Sequence, residues 1–174
     1  PSSRLLVYAG RLSSEKNVEL LPRILQELAH GRRDYRLIIA GAGPLADTLA
    51  DECSRRSPAR TTFLSHLDRD ALADVLANAD AFIHPNPREP FGIAPLEAMA
   101  SGLPLVAPNS GGVTTYASDD TAWLAPADAE SSRMRRGTGI RRSSRRCASL
   151  PRAPPYWLGG RGSWPGGSAA GGWG

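Results

Sequence analysis

Two carboxylates, Glu89 and Glu97, stand eight positions apart in the stretch HPNPREPFGIAPLEAMASGLPLVAPNSGG, which runs from His84 to Gly112. Between them Phe91-Gly92-Ile93 falls where a helix should begin. A helix N-terminus carries unpaired N–H donors and roughly half a positive charge, so it attracts an anion. A carboxylate beside that anion is suited to gripping hydroxyls. The chemistry fits a sugar joined to a phosphate. Earlier in the chain, the segment GRLSSEKN carries Arg11 and Lys16, and Lys16 is the only lysine among 21 basic residues. A compact ammonium in so arginine-biased a chain suggests a point charge for phosphate, although an ordinary surface lysine would read the same way. Gly10, just before Arg11, lets the backbone turn sharply.

Glu89 and Glu97 have a second reading as a hydrolase pair, since glycosidases place two carboxylates across one bond. Hydrolysis would account for those two residues only. A phosphate-bearing ligand accounts for Arg11, Lys16, Glu89 and Glu97 together. The plain alternative for Glu97 is a carboxylate favouring its own helix dipole. Gly41-Ala42-Gly43 resembles part of a dinucleotide fingerprint, but it lacks the third glycine and the downstream acid, and a tight turn explains it. His66 follows a strand and could touch a base or ribose, although an exposed loop histidine would read the same way, and His84, before Pro85 at another strand end, could reach the same cleft. His30, beside Gly31, reads as a capping or surface residue.

The elements that must position these residues alternate. Leu5 to Ala9, Leu37 to Ala40, Thr61 to Leu64, Ala81 to His84 and Leu105 to Ala107 read as strands, with Thr121 to Ala125 a sixth candidate. Helices are expected from Val18 to Leu28 with Asn17 as N-cap, from Leu45 to Arg55 after Pro44, from Asp68 through Leu76, and from Ala94 to Ala100 before Gly102 and Pro104. Pro22 sits near the first turn of its helix, where proline costs least. This alternation predicts an α/β fold, a doubly wound parallel sheet of Rossmann-like type. Ligands of such sheets bind beyond the carboxyl ends of the strands. The loops Gly10–Lys16, Gly41–Gly43, Ser65–His66 and Pro85–Gly92 should therefore share one edge.

The 174 residues suffice for one domain with a real core. The net charge of +4 conceals two regimes. Residues 1–130 hold 12 basic and 17 acidic side chains, net −5, whereas residues 131–174 hold nine arginines and no acid, net +9. The high pI therefore belongs to the tail. That tail is rich in Arg, Gly, Ser and Pro, with Trp157, Trp164 and Trp173 unpatterned, and no core can be built from it. It reads as disordered, and its abrupt loss of acids resembles a GC-rich gene read out of frame. A basic nucleic-acid-binding tail is the competing reading, because aromatics interleave with arginine. No apolar run is long enough to span a membrane. The chain opens on Pro1 directly before a strand, as a fragment with residues upstream would. Cys53 and Cys147 have no metal-type spacing and fit free thiols in a reducing compartment.

GRLSSEKNVELL, the GAGP turn and HPNPREPFGIAPLEAMASGLPLVAPNSGGV, in that order, resemble the C-terminal, donor-binding domain of GT-B glycosyltransferases, in the large retaining family 4 often labelled glycosyl transferases group 1. The likeness covers residue 4 to about residue 128. It implies that Arg11 and Lys16 hold the diphosphate of a nucleotide-sugar and act catalytically with Glu89, which faces the donor sugar. It further implies that the backbone of Phe91, Gly92 and Ile93 binds phosphate and sugar oxygens, that Glu97 takes the ribose hydroxyls, and that Gly10, Gly41, Gly43, Leu64 and His66 border the nucleotide. The implied reaction is hexosyl transfer with retention, with no cofactor and no required metal.

The partners implied are a nucleotide-sugar donor and a sugar or lipid acceptor held by an N-terminal domain that this sequence lacks. The implied location is cytoplasmic, with room for peripheral membrane association of a full-length enzyme. Departures from the family pattern are the missing acceptor domain and the irregular tail, so the chain, with its expected domain at residues 1–130, should bind donor weakly or not at all and be inactive alone. A sugar-nucleotide epimerase of the same architecture is the nearest enzyme alternative. Nucleic-acid binding is not expected, and salt would separate it, since tail binding weakens steeply with ionic strength.

Overall fold

The computed structural model describes residues 3–30 and 34–125. Within them a parallel six-stranded sheet is built from β1 (Arg4–Ala9), β2 (Tyr35–Ala40), β3 (Thr61–Leu64), β4 (Ala81–Ile83), β5 (Leu105–Pro108) and β6 (Ala122–Ala125). The strand order is β3-β2-β1-β4-β5-β6 and every pairing is parallel. The helices are α1 (Leu20–Ala29), α2 (Ala46–Arg56), α3 (Arg69–Ala77) and α4 (Ile93–Ala100), with short 3-10 helices at Ser14–Lys16 and Gly112–Thr115. The expected α/β doubly wound sheet is what forms.

Its two faces are covered because the chain winds outward from β1 in both directions. Right-handed crossovers then deposit helices on opposite sides. Alternation along a strand does the rest. Leu6 and Tyr8 of β1 join a core with Leu21, Ile24, Leu25 and Leu28 of α1, Leu37 and Ile39 of β2, and Leu49 and Cys53 of α2. Val7, between them, joins the opposite core with Leu76, Phe82, Ala98, Leu105, Ala107 and Val113. Strands buried on both faces read as unbroken apolar runs. β2 starts two residues earlier than that run, because Tyr35 is buried while Arg36 faces water.

Local signals succeeded where a side chain makes its own cap. Asp68 accepts a hydrogen bond from the Ala71 N–H at the start of α3, whereas the exposed His30 closes α1 through its backbone N–H, which donates to the Glu27 and Leu28 carbonyls. Asn17 departs from expectation. It has φ 55° and ends the first 3-10 helix, while Glu19 takes the cap position of α1. The left-handed backbone suits asparagine, and it frees the side chain for a partner described below. α2 begins at Ala46, two residues beyond Pro44. Neither 3-10 helix was foreseen, since three or four residues carry no period to read. Cys53 is a buried free thiol. Cys147, the end of the expected domain after Ala125, and the tail 131–174 lie outside the described residues. Among those residues no helix is long and apolar enough to cross a membrane, and no cluster of His, Cys, Asp or Glu could hold a metal.

Candidate functional site

In a sheet of this order the strands run out in opposite directions from β1 and β4, and their carboxyl ends open a crevice. The loop after β1 and the loop after β4 form its two walls. Lys16 and Glu89 meet there: Lys16 Nζ donates to Glu89 Oε2 at 2.7 Å, from positions 73 residues apart. Asn86 Nδ2 donates to the same oxygen at 3.1 Å. Neither donor uses Oε1. The two loops are tied a second time by Asn17, whose Nδ2 donates to the Pro85 carbonyl at 3.1 Å. Burial disfavours the ionised Glu89, but the Lys16 and Asn86 hydrogen bonds and the Lys16 charge outweigh it and hold its carboxyl below the usual range.

The first wall is shaped by its own strand. The Tyr8 hydroxyl donates to the Arg11 carbonyl at 2.9 Å, curling the chain after Gly10 and leaving the Arg11 side chain exposed. Burial, then the Glu89 and Glu15 charges, raise the Tyr8 pKa far above its usual value, so the phenol stays a donor. Beside it runs the turn after β2. A Cβ on Gly41 would lie 1.9 Å from the Gly10 carbonyl oxygen, and one on Gly43 would lie 2.3 Å from that of Leu12. The glycines of the GAGP turn are thus required by backbone approaching backbone, with Leu12 N–H donating to Ala42 O and Leu45 N–H to Leu12 O. Leu64, half-buried at the end of β3, accepts from the Gly41 N–H, and His66 is exposed just beyond it.

The second wall is the segment 84–92. His84 is 5% exposed, and its Nε2 has no hydrogen-bond partner. Asn86 Oδ1 accepts the Arg88 N–H at 3.0 Å, an Asx turn that the NPRE sequence could have signalled. Gly92 caps α4 with φ 84°, a left-handed conformation natural to glycine. Phe91 and Ile93 flank it, 49% and 67% exposed. Pro95 removes one amide from the first turn of α4, so Ile93 and Ala94 carry that helix's N–H groups without intrahelical partners. Glu97 lies half-buried in the second turn. No acidic residue occupies the first turn, so Glu97 is not placed to serve the dipole.

Every anticipated site residue thus falls on the carboxyl edge of the sheet or on the helix that leaves it. Lys16 and Glu89 are in direct contact. Asn86, the 110–116 segment and the loop-tying role of Asn17 escaped sequence reasoning. Ser110-Gly111-Gly112 carries a turn signal, but nothing in it says which loop it touches.

The buried His84 has a consequence for stability. Burial, chiefly, pushes its pKa down from 6.5 to about 4; Lys16 lowers it further, while Glu89 and the Asn86 backbone oppose the shift. Above pH 6.5 neither folded nor unfolded chain protonates this ring, and no penalty exists. As pH falls from 6.5 towards 4 the unfolded chain takes up a proton that the folded one refuses, costing on the order of 3 kcal/mol in all. His84→Leu should flatten that loss. Thermal unfolding of both proteins at pH 7 and pH 4.5 checks it, and parallel losses would remove His84 as the cause.

The family model for glycosyl transferases group 1 matches residues 1–134 of this chain. A GDP-mannose-dependent alpha-(1-6)-phosphatidylinositol dimannoside mannosyltransferase of Mycobacterium tuberculosis is 39% identical over 121 residues, 70% of this chain and 31% of that protein. The glycogen synthase of the same organism is 41% identical over 109 residues, 62% of this chain and 26% of that protein. Among solved structures, Anabaena HepE in complex with UDP-glucose aligns with a TM-score of 0.62 at 23% identity, over 71% of this chain and 35% of that one. This likeness shows the shared GT-B-type fold. The chain spans about a third or less of the length of these relatives. By the match over residues 1–134, this chain belongs to the glycosyl transferases group 1 family.

Proposed function

We propose that this chain is the C-terminal, donor-binding half of a retaining family 4 hexosyltransferase, with the donor's diphosphate lying in the crevice between β1 and β4. The observation that carries this reading is the 2.7 Å Lys16–Glu89 pair across that crevice. One cation and one carboxylate, adjacent but on separate loops, suit a ligand whose anionic and hydroxylated parts are also adjacent. In the proposed arrangement Lys16 and Arg11 neutralise the diphosphate as it leaves, a form of stabilisation usually among the largest catalytic effects. The N–H groups at Gly92 and Ile93 add donors to the same charge. Glu89, with Oε1 free of its two donors, takes hydroxyls of the transferred sugar, and Glu97 takes those of the ribose. The two carboxylates are separate handles on one ligand, rather than an acid and a base acting on one bond. No metal enters this scheme, because the cations that balance the diphosphate are side chains.

The names of the relatives support a nucleotide-sugar donor: the mannosyltransferase uses GDP-mannose, and HepE was captured with UDP-glucose. The acceptor would be held by a domain outside this chain. Calorimetric titration with UDP, GDP and ADP, set against their nucleosides, tests the reading. At least one diphosphate should bind well above its nucleoside, while labelled UDP-glucose or GDP-mannose should give no transfer by this chain alone. Equal binding of diphosphate and nucleoside would sink it.

A further inference from the structure

The segment 110–116 donates three hydrogen bonds to the turn 87–92, all of them to carbonyl oxygens. Ser110 Oγ donates to Pro87 O at 2.9 Å, Gly112 N–H donates to Glu89 O at 2.7 Å, and the Tyr116 hydroxyl donates to Gly92 O at 2.8 Å. A carbonyl oxygen facing the crevice would repel a phosphate. Each of these is instead turned to a donor on the segment after β5. A trans peptide holds its C=O and N–H on opposite sides. Tethering Gly92 O to Tyr116 therefore aims the Ile93 N–H, the first of α4, away from the tether.

We propose that Tyr116 is a positioning residue for the diphosphate, holding the Gly92 carbonyl out of the crevice so that the N-terminal amides of α4 meet the distal phosphate. This rests on the donor-site reading above and adds the residue that orients its anion-binding half. The link is specific in geometry. The helical bond to the same oxygen, from Leu96 N–H, is long at 3.4 Å, so the phenol is the shorter of its two donors. The ring is fixed from the side by Phe91, edge-on with centroids 5.4 Å apart and planes at 64°. A Cβ on residue 92 would come within 2.9 Å of the phenol oxygen, so glycine and tyrosine are fitted to one another. Burial, and then the Glu89 charge, raise the Tyr116 pKa, keeping the hydroxyl protonated and donating at neutral pH.

Tyr116→Phe removes the hydroxyl and keeps the ring against Phe91. The test titrates the native chain, Tyr116→Phe and Lys16→Ala with UDP and GDP and with the matched monophosphates UMP and GMP. Misorienting one amide pair should weaken the diphosphate by about tenfold and leave the monophosphate unchanged, so that the gain from the second phosphate shrinks. Equal weakening of both ligands would mean that the tyrosine only supports the fold, and no change in either would mean that it does nothing for the site. Both results overturn the proposal. If the native chain itself gains nothing from the second phosphate, the donor-site reading fails and takes this inference with it. If Lys16→Ala abolishes that gain while Tyr116→Phe retains it, the positioning role alone is lost.

Discussion

Lys16→Ala should weaken UDP or GDP binding by about 30- to 100-fold, the loss of one charge-assisted hydrogen bond worth roughly 2–3 kcal/mol. The effect is large because of what remains. Lys16 is the partner of Glu89, a carboxylate only 14% exposed, and without it the crevice presents a negative charge to an anion. Lys16→Arg should not rescue fully, since a guanidinium is a planar fork and not a compact point. Glu89→Gln should act with the opposite sign on the same ligand. It frees Lys16 and removes the charge that repels phosphate, so UDP or GDP alone should bind more tightly, by several-fold to about tenfold at low salt. The same change should erase any preference for the nucleotide-sugar over the bare diphosphate. Titration of both ligands against both variants measures this. A Glu89→Gln protein that binds bare diphosphate more weakly would show that the pair merely braces the loops.

Gly112→Ala is expected to destabilise the fold by about 3–4 kcal/mol, lowering the melting temperature by roughly 10–15 °C. An added Cβ would lie 2.0 Å from Pro90 O, 2.4 Å from Pro90 C and 2.6 Å from Phe91 Cα. All three atoms are backbone, so no side chain can swing aside, and the Gly112 N–H bond to Glu89 O must stretch with them. Gly102→Ala is the matched control. Gly102 has φ 74° but nothing within 4 Å of its would-be Cβ, so it should lose only the roughly 1 kcal/mol of a left-handed alanine. Differential scanning calorimetry of the two variants separates close packing from backbone strain. If Gly102→Ala melts lower than Gly112→Ala, the packing argument is wrong.

The fold was largely legible because its signals are local. Apolar runs of strand length, punctuated by Gly41, Gly43, Pro85, Gly102 and Pro104, mark where each strand and helix ends, whatever the rest of the chain does. Asp68 needed only the amide three residues on to act as a cap. Asn17 misled for an equally physical reason. A good cap residue is also a good left-handed residue, and the choice was made by a contact with Pro85 at a distance of 68 positions. The 3-10 helices are too short to carry a period.

The site divides in the same way. The residue types came from the sequence itself: one lysine in an arginine-rich chain, two glutamates astride a helix start, and a glycine where that helix is capped. Side-chain chemistry and helix ends are properties of a few adjacent residues. Tertiary structure alone decided that Lys16 and Glu89 touch, because β1 pairs with β4 and not with β3. It alone decided that His84 is buried, that the glycines of the GAGP turn answer to Gly10 and Leu12, and that Tyr116 reaches Gly92. Each of these is a meeting between segments far apart in the chain, set by strand order. No local pattern of charge or hydropathy encodes which loops a parallel sheet will lay side by side.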